Sequence, residues 1–157
     1  MEKSDERKVI RVVRIVWWTL GVLVGGIFIY AGASKAFNPV RFATDIDNYK
    51  LLPWSFAVGI AFYLPWLEIF SGLAVVLRKF YRGGLLILTL LILVFLAVTI
   101  AAKVRGLDIT CGCFGHASEH WSFPQHLVVD LAILIGLVAL FGQELVGKEY
   151  RPGNEGR

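Results

Sequence analysis

The sequence predicts an all-α membrane protein built as a bundle of four transmembrane helices, and three observations support this fold class. The chain has 157 residues, of which 57% are hydrophobic, more than the core of a soluble domain of this size requires. Four apolar runs are each about 20 residues long, the length that a helix needs to cross a bilayer. Charged residues cluster beside these runs, so we expect the lipid bilayer to surround a single domain.

The basic residues predict the orientation of this bundle. Eleven of the sixteen Lys and Arg residues flank the termini or the connection between spans two and three, namely Lys3, Arg7, Lys8, Arg11, Arg14, Arg78, Lys79, Arg82, Lys148, Arg151 and Arg157. Positively charged connections stay in the cytoplasm, so both termini are predicted there and the two longer connections outside. The net charge of +4 is not gathered on one polar face, which argues against nucleic acid as a partner.

Residues 1–14 are predicted to form a basic cytoplasmic leader, followed by span one at about residues 15–33. Gly21 and Gly25 lie four residues apart, a spacing that can admit a closely packed neighbouring helix. Residues 31–33 (AGA) are like a signal-peptide cleavage site, but the apolar region of such a signal is about 7–15 residues long. The run here is longer, so we predict a retained anchor.

The next segment, residues 37–53, mixes polar and apolar side chains after Asn38-Pro39. This pattern is typical of a short amphipathic helix at the outer interface, although an ordered loop is equally compatible with it. Span two covers about residues 56–77 and contains Pro65. Neighbouring groups can satisfy the carbonyl that a proline frees in a membrane helix, so a kink and not a break is expected.

Span three, about residues 83–102, is rich in Leu and Ile and is expected to face lipid widely. Span four, about residues 123–145, begins at Ser122-Phe123-Pro124-Gln125, a capping-box spacing with proline in the first turn. The single transmembrane domain therefore covers residues 15–145. Residues 146–157 are predicted to form a polar cytoplasmic tail.

The two cysteines of the chain, Cys111 and Cys113, lie together in the connection between spans three and four. A Cys-Gly-Cys bridge closes a small, strained ring, and strained disulfides are reduced readily. Disulfides persist in exported compartments, where the orientation above places this loop. We predict that the pair exchanges thiols and disulfides, while a static bridge or two idle thiols remain the alternatives.

The same connection also allows a metal site. Two thiolates, Cys111 and Cys113, and two imidazoles, His116 and His120, form a ligand set that suits zinc or copper. Their spacing is not that of a standard zinc finger, and histidines that face solvent would explain them equally.

Two carboxylates interrupt the apolar spans, Glu68 in span two and Asp130 in span four. An ionisable group at mid-membrane costs at least about 2.5 kcal/mol unless it is paired or hydrated, so both are expected to face the bundle interior. His126 shares a face with Asp130 one turn away, and a carboxylate behind a histidine can orient it to accept a thiol proton. Glu68, His126 and Asp130 are therefore candidate proton-handling residues beside the cysteines.

Lys35 ends span one and is the natural counter-ion of Glu68. Glu68 lies about twelve residues below the outer end of span two, roughly 18 Å at 1.5 Å per residue. A direct bridge therefore requires a tilted or shifted helix, and contact through water or Asp130 is expected more readily. A buried polar cluster that fixes helix register without any chemistry is the alternative interpretation.

Three segments carry a resemblance to a known family, residues 30–35 (YAGASK), 67–73 (LEIFSGL) and 111–115 (CGCFG). Over about residues 15–141 the chain resembles the DoxX-like membrane proteins and, more closely, their MauE branch of methylamine utilisation. The resemblance implies a bacterial inner-membrane bundle that supports redox work or disulfide formation in an exported partner, thioredoxin-like or of dehydrogenase type. It also suggests a quinone acceptor, which we expect near Lys35, Trp66 and Glu68.

One departure from that branch concerns the start of the last span, where a basic residue is expected and this chain has His126 and Asp130. The leading hypothesis is thus a membrane thiol-disulfide oxidoreductase acting through Cys111 and Cys113. A non-enzymatic assembly subunit with a static Cys-Gly-Cys loop is the second hypothesis, the metal-binding loop is the third, and each is compatible with an oligomer.

Overall fold

The computed structural model describes residues 2–106 and 123–149. They form five helices: α1 (Glu2–Ala36), α2 (Pro39–Asn48), α3 (Trp54–Val76), α4 (Tyr81–Val104) and α5 (Phe123–Glu149). Within these ranges there is no strand, and α1, α3, α4 and α5 are long and apolar enough to cross a membrane. The predicted fold class, an all-α bundle of four transmembrane helices, is confirmed.

The four long helices alternate in direction, which defines the two ends of the bundle used below. The loop end carries the last turns of α1 and α4 and the first turns of α3 and α5, beside residues 107–122. The tail end carries the first turns of α1 and α4 and the last turns of α3 and α5. Arg82 at the start of α4 pairs with Glu144 near the end of α5, with 3.5 Å between Nε and Oε2, so the two helices are antiparallel neighbours.

The segment between the first two spans is helical, as the amphipathic pattern predicts. Helix α2 begins with Pro39, whose fixed φ and missing N–H suit the first turn of a helix. Phe42 and Ala43 on its apolar face are buried, and this face packs mainly against α3. The short helix therefore covers part of the loop end.

Helix α3 is continuous through Pro65, so the proline does not break the span. Its packing against α1 is the closest in the bundle, because glycines bring the two backbones together. A Cβ atom added to Gly25 would lie 2.8 Å from the Gly72 carbonyl oxygen, and one added to Gly32 would lie 2.6 Å from that of Pro65. Of the predicted Gly21–Gly25 pair, only Gly25 makes such a close approach, since the space beside Gly21 is ordinary.

The apolar core is densest toward the tail end. Leu85 and Leu88 of α4 and Leu137 and Leu140 of α5 are completely buried there, and we call these four residues the leucine core. Span three was expected to face lipid more widely than the other spans, and this comparison was wrong, because α4 buries 33% of its apolar window, as much as α3 and more than α1 with 22%. Its position between α3 and α5 explains the difference.

Candidate functional site

Three charged side chains and one histidine are buried toward the loop end, and we call them the polar cluster: Lys35, Glu68, His126 and Asp130. None is more than 3% exposed. They come from three helices, α1, α3 and α5. The prediction that Glu68 and Asp130 face the bundle interior is therefore confirmed.

The centre of the polar cluster is a direct ion pair. Lys35 Nζ donates a hydrogen bond to Glu68 Oε1 over 2.6 Å, and both side chains are at most 1% exposed. A charge-assisted hydrogen bond of this length is among the stronger polar contacts in proteins. The pair joins the last turn of α1 to the middle of α3.

The direct Lys35–Glu68 bridge forms, although contact through water or Asp130 was expected more readily. It forms because α1 is shifted along α3, the condition that the sequence sets for a direct bridge. Helix α1 does not end level with the start of α3, because Gly32 packs beside the Pro65 carbonyl, eleven residues into α3. Helical side chains lean toward the N-terminus of their own helix. In this antiparallel pair the Lys35 and Glu68 side chains consequently lean toward each other, which closes the remaining distance.

The Lys35–Glu68 ion pair does not neutralise the polar cluster, because Asp130 adds a second carboxylate. The Asp130 carboxylate is fully buried and close enough to interact electrostatically with Lys35. Glu68 Oε1 accepts a hydrogen bond from Lys35. Among the described residues, Glu68 Oε2 and both Asp130 oxygens accept none. Two carboxylates thus share one ammonium group. Since a bare charge is costly inside a membrane, a proton on a carboxyl group or on His126 would restore neutrality.

His126 and Asp130 lie on one face of α5, in its first two turns, and both are buried. His126 is the member nearer the end of the helix and thus nearer to residues 107–122. A buried imidazole between a loop and a deeper carboxylate can accept a proton on one side and release it on the other. The two side chains share this face, but neither Asp130 oxygen accepts a hydrogen bond from the imidazole.

Two phenylalanine rings enclose the Lys35 ammonium group. Its Nζ lies 4.7 Å from the centre of the Phe95 ring of α4 and 5.4 Å from that of Phe42 in α2. Both distances lie within the range of cation–π attraction, and the rings also exclude water from the ion pair. No sequence pattern marks these two residues, because a phenylalanine within an apolar run looks the same whether it faces a charge or lipid.

A cavity of about 150 Å³ lies beside these rings, between α2, α3 and α4. Its walls are mostly apolar and include Phe42, Phe95, Leu64 and Val98, with Tyr49 and Thr99 as hydroxyl-bearing residues and Asp45 at the wall. We call it the α2 cavity. Because Phe42 and Phe95 line it and also face Lys35, the cavity and the polar cluster are adjacent.

Tyr49 follows the last turn of α2 and is 9% exposed. Burial, followed by the nearby carboxylates of Asp45 and Asp130, raises the pKa of Tyr49 to about 12. Its hydroxyl therefore keeps its proton at any physiological pH. Arg105, at the end of α4, donates a hydrogen bond to the Tyr49 carbonyl oxygen over 3.2 Å, which fixes the end of α2 against α4.

The structure separates Trp66 from the other two residues expected near a quinone. Trp66 is 52% exposed and stacks on Phe70 with 6.1 Å between ring centres, whereas Lys35 and Glu68 are paired inside the bundle. Two residues along a helix correspond to roughly 200° of rotation, so Trp66 and Glu68 point in nearly opposite directions. None of the three side chains lines the α2 cavity.

The remaining predicted site residues, Cys111, Cys113, His116 and His120, lie outside the described residues. The flanking helices are described: α4 ends at Val104 and α5 begins at Phe123, both at the loop end. Within residues 2–106 and 123–149, no group of three or more His, Cys, Asp and Glu residues could hold a metal ion. The metal site predicted in the loop remains a prediction.

Comparison with known proteins gives one match. A family model described as Methylamine utilisation protein MauE matches residues 13–142, which includes all four transmembrane helices for most of their length. No curated protein matches the chain, and no solved structure matches it either.

Proposed function

The chain belongs to the MauE family of membrane proteins linked to methylamine utilisation, and from this premise we propose that it exchanges thiols and disulfides with an exported partner. Cys111 and Cys113 would be the exchanging pair, in the connection between α4 and α5. The partner would be a thioredoxin-like protein or a dehydrogenase-type subunit. The family match covers the transmembrane helices and the cysteine segment alike, which supports considering them together.

One observation carries this proposal. The polar cluster is buried at the loop end of the bundle, where α4 ends and α5 begins, and these two helix ends border the cysteine segment in the sequence. Thiol exchange needs a group that takes a proton from an attacking thiol, because the thiolate is the nucleophile. His126 occupies the first turn of α5, with Asp130 behind it. The polar cluster thus supplies proton-handling groups where the proposed chemistry requires them.

The proposed exchange balances in atoms and electrons. One thiolate of the partner attacks the Cys111–Cys113 disulfide and forms a mixed disulfide, which the second partner thiolate then resolves. The partner gains a disulfide, Cys111 and Cys113 become thiols, and the two protons of the partner thiols end on them. His126 would carry a proton in this transfer, and the nearby Asp130 carboxylate would favour the protonated imidazole electrostatically. A quinone in the bilayer, when bound, would accept two electrons and two protons as the cysteines are reoxidised.

The proposal requires a particular orientation. The positive-inside rule supports cytoplasmic termini in a bacterial inner membrane, with the loop end on the exported side. Disulfides can persist there. An opposite orientation would place Cys111 and Cys113 in a reducing compartment and would remove the basis for exchange.

One observation favours a second candidate, a non-enzymatic assembly subunit. The Lys35–Glu68 pair is fully enclosed and hydrogen-bonded at 2.6 Å, and buried ion pairs can serve to fix one register of packing. In that case the Cys111–Cys113 segment would be a static clamp. Reduction of the cysteines would then alter the stability of the complex without altering the redox state of the partner.

The test follows the partner's cysteines in cells that express the full-length chain. In strains carrying Cys111→Ser or Cys113→Ser, thiol trapping should show the exported partner accumulating as dithiols, with the membrane protein itself at its normal level. A Ser34→Ala strain is the matched control, since the Ser34 hydroxyl only donates a hydrogen bond to the Ala31 carbonyl oxygen within α1. Unchanged partner oxidation in both cysteine variants would exclude exchange, and loss of partner protein without a redox change would identify the assembly subunit.

A further inference from the structure

The α2 cavity differs from an ordinary packing defect in its size, its walls and its position. An apolar cavity of about 150 Å³ is large enough to take up a benzene ring and remains dry when empty. The α2 cavity has this volume. Its apolar walls would therefore accept a single six-membered ring more readily than water.

The side chains that line the α2 cavity suit a flat ring. Phe42 on α2 and Phe95 on α4 both line the cavity, and aromatic rings pack well against other planar rings. Tyr49 contributes a hydroxyl group that stays protonated, so it can donate a hydrogen bond to a carbonyl oxygen. A ring that carries carbonyl groups would satisfy both the apolar walls and this donor.

The cavity also adjoins the lipid. Leu51, Leu52 and Val94 line it and are 46%, 41% and 55% exposed, and Val94 lies within the membrane-spanning part of α4. Water-soluble ligands would have no entry on this side. A ring attached to an apolar tail could enter from the bilayer and leave its tail among the lipids.

From these features we propose that the α2 cavity binds the ring of a lipid-borne quinone, with Phe42 and Phe95 against the ring and Tyr49 as hydrogen-bond donor to a carbonyl oxygen. The residues differ from those expected from sequence, because Trp66 lies on the lipid-facing side of α3. The choice of a redox-active ring over an inert one rests on the proposed function, which needs an electron acceptor. Lys35 Nζ lies 4.7 Å and 5.4 Å from the centres of the Phe95 and Phe42 rings, so the acceptor would lie beside the polar cluster.

The experiment uses the full-length protein in lipid nanodiscs and a short-chain photoreactive azidoquinone as the probe. Illumination should attach the probe to peptides from α2 and from residues 94–99 of α4, and excess unlabelled short-chain quinone should suppress this labelling. Val98→Phe fills the cavity and should lower labelling by about tenfold or more. Val138→Phe is the matched control, since Val138 is exposed on α5 and lies outside the cavity.

A second pair of variants leaves the packing unchanged. Tyr49→Phe should weaken quinone competition by about three- to tenfold, the effect of losing one hydrogen bond. Tyr63→Phe, at an exposed tyrosine of α3, should have no effect. These variants keep the proposal testable if Val98→Phe does not fold.

Two outcomes would overturn the inference. Labelling spread equally over the exposed helix faces in all variants would show that the probe only partitions into lipid. Labelling of the cavity by a photoreactive phospholipid that quinone does not displace would identify an acyl chain as the occupant. Either result leaves the cysteine experiment unaffected, so failure of the quinone site and failure of thiol exchange can be distinguished.

Discussion

The two ends of the bundle fill their interiors with different kinds of side chain, apolar at the tail end and charged at the loop end. At the tail end the leucine core fills the interior with completely buried apolar side chains. At the loop end the interior holds the polar cluster, two aromatic rings and the α2 cavity. Buried charges and unfilled volume both reduce stability in a membrane, so the loop end carries features that packing alone does not require.

This comparison indicates where function is to be sought. A four-helix bundle needs apolar contact and close backbones to remain folded, and the leucine core and the glycine contacts between α1 and α3 provide both. The loop end is built at a cost in stability, as sites that bind or react often are. The following predictions test this division, in order of decreasing effect on stability.

The largest effect is expected at the ion pair. Glu68→Gln should destabilise the protein by about 3–5 kcal/mol, because it removes the charged hydrogen-bond partner of the buried Lys35 ammonium and leaves, of the described residues, only Asp130 to balance it. The double variant Lys35→Met/Glu68→Gln should recover more than half of this loss, since both charges of the hydrogen-bonded pair are then removed and Asp130 can take up a proton. Denaturant unfolding in mixed micelles, followed by circular dichroism, measures both values. No recovery in the double variant would mean that the pair contributes through its shape and not its charge.

At the tail end, Leu137→Ala should cost about 2–4 kcal/mol, the usual result of truncating a fully buried leucine. The same unfolding assay measures this loss. Thiol trapping of Cys111 and Cys113 on the folded variant should give the wild-type redox state, because the leucine core is remote from the loop end. A changed redox state at unchanged expression would show that the two ends are coupled.

Neighbouring glycines in α1 offer a smaller and more local comparison. Gly25→Ala should destabilise the bundle by about 1–3 kcal/mol, because its Cβ would meet the Gly72 carbonyl oxygen at 2.8 Å and force the helices apart. Gly26→Ala is the matched control: nothing lies within 4 Å of its Cβ position. The control should be neutral or stabilise by up to about 1 kcal/mol, since alanine favours the helix. Equal effects of the two substitutions in the unfolding assay would contradict the observed register of α1 on α3.

The smallest effect is expected at Trp66. Its ring is half-exposed on the lipid-facing side of α3 and contacts Phe70 of the same helix. Trp66→Leu should therefore change the unfolding free energy by less than about 0.5 kcal/mol, and short-chain quinone should still compete for the azidoquinone probe. Loss of quinone competition in this variant would instead place the ligand beside Trp66, as the sequence suggested.

The fold class was predictable because the length and hydropathy of the spans decide it. Carboxylates within apolar runs were also visible from sequence, since each carries a free-energy cost that only burial with a partner can offset. Glu68 and Asp130 were identified on this argument alone. Their burial agrees with it.

The other features of the site depend on the register in which the helices pack against one another. No pattern of residues in the sequence determines this register. The direct Lys35–Glu68 contact follows from the depth at which Gly32 packs on α3. The estimate from sequence assumed instead that the end of α1 lies level with the start of α3. Phe42 and Phe95 come from different helices and have no feature that separates them from other phenylalanines. The α2 cavity, likewise, exists only because α2 folds back on α3.

The central claim is that the loop end performs thiol-disulfide chemistry, and the redox midpoint of Cys111 and Cys113 tests it most directly. Native membranes would be equilibrated across a graded series of glutathione buffers, and the cysteines trapped and weighed by mass spectrometry. An exchanging pair should be half-reduced between about −120 and −230 mV, the range of exported oxidants. A bridge that resists reduction below about −300 mV, or thiols that never oxidise, would contradict the claim.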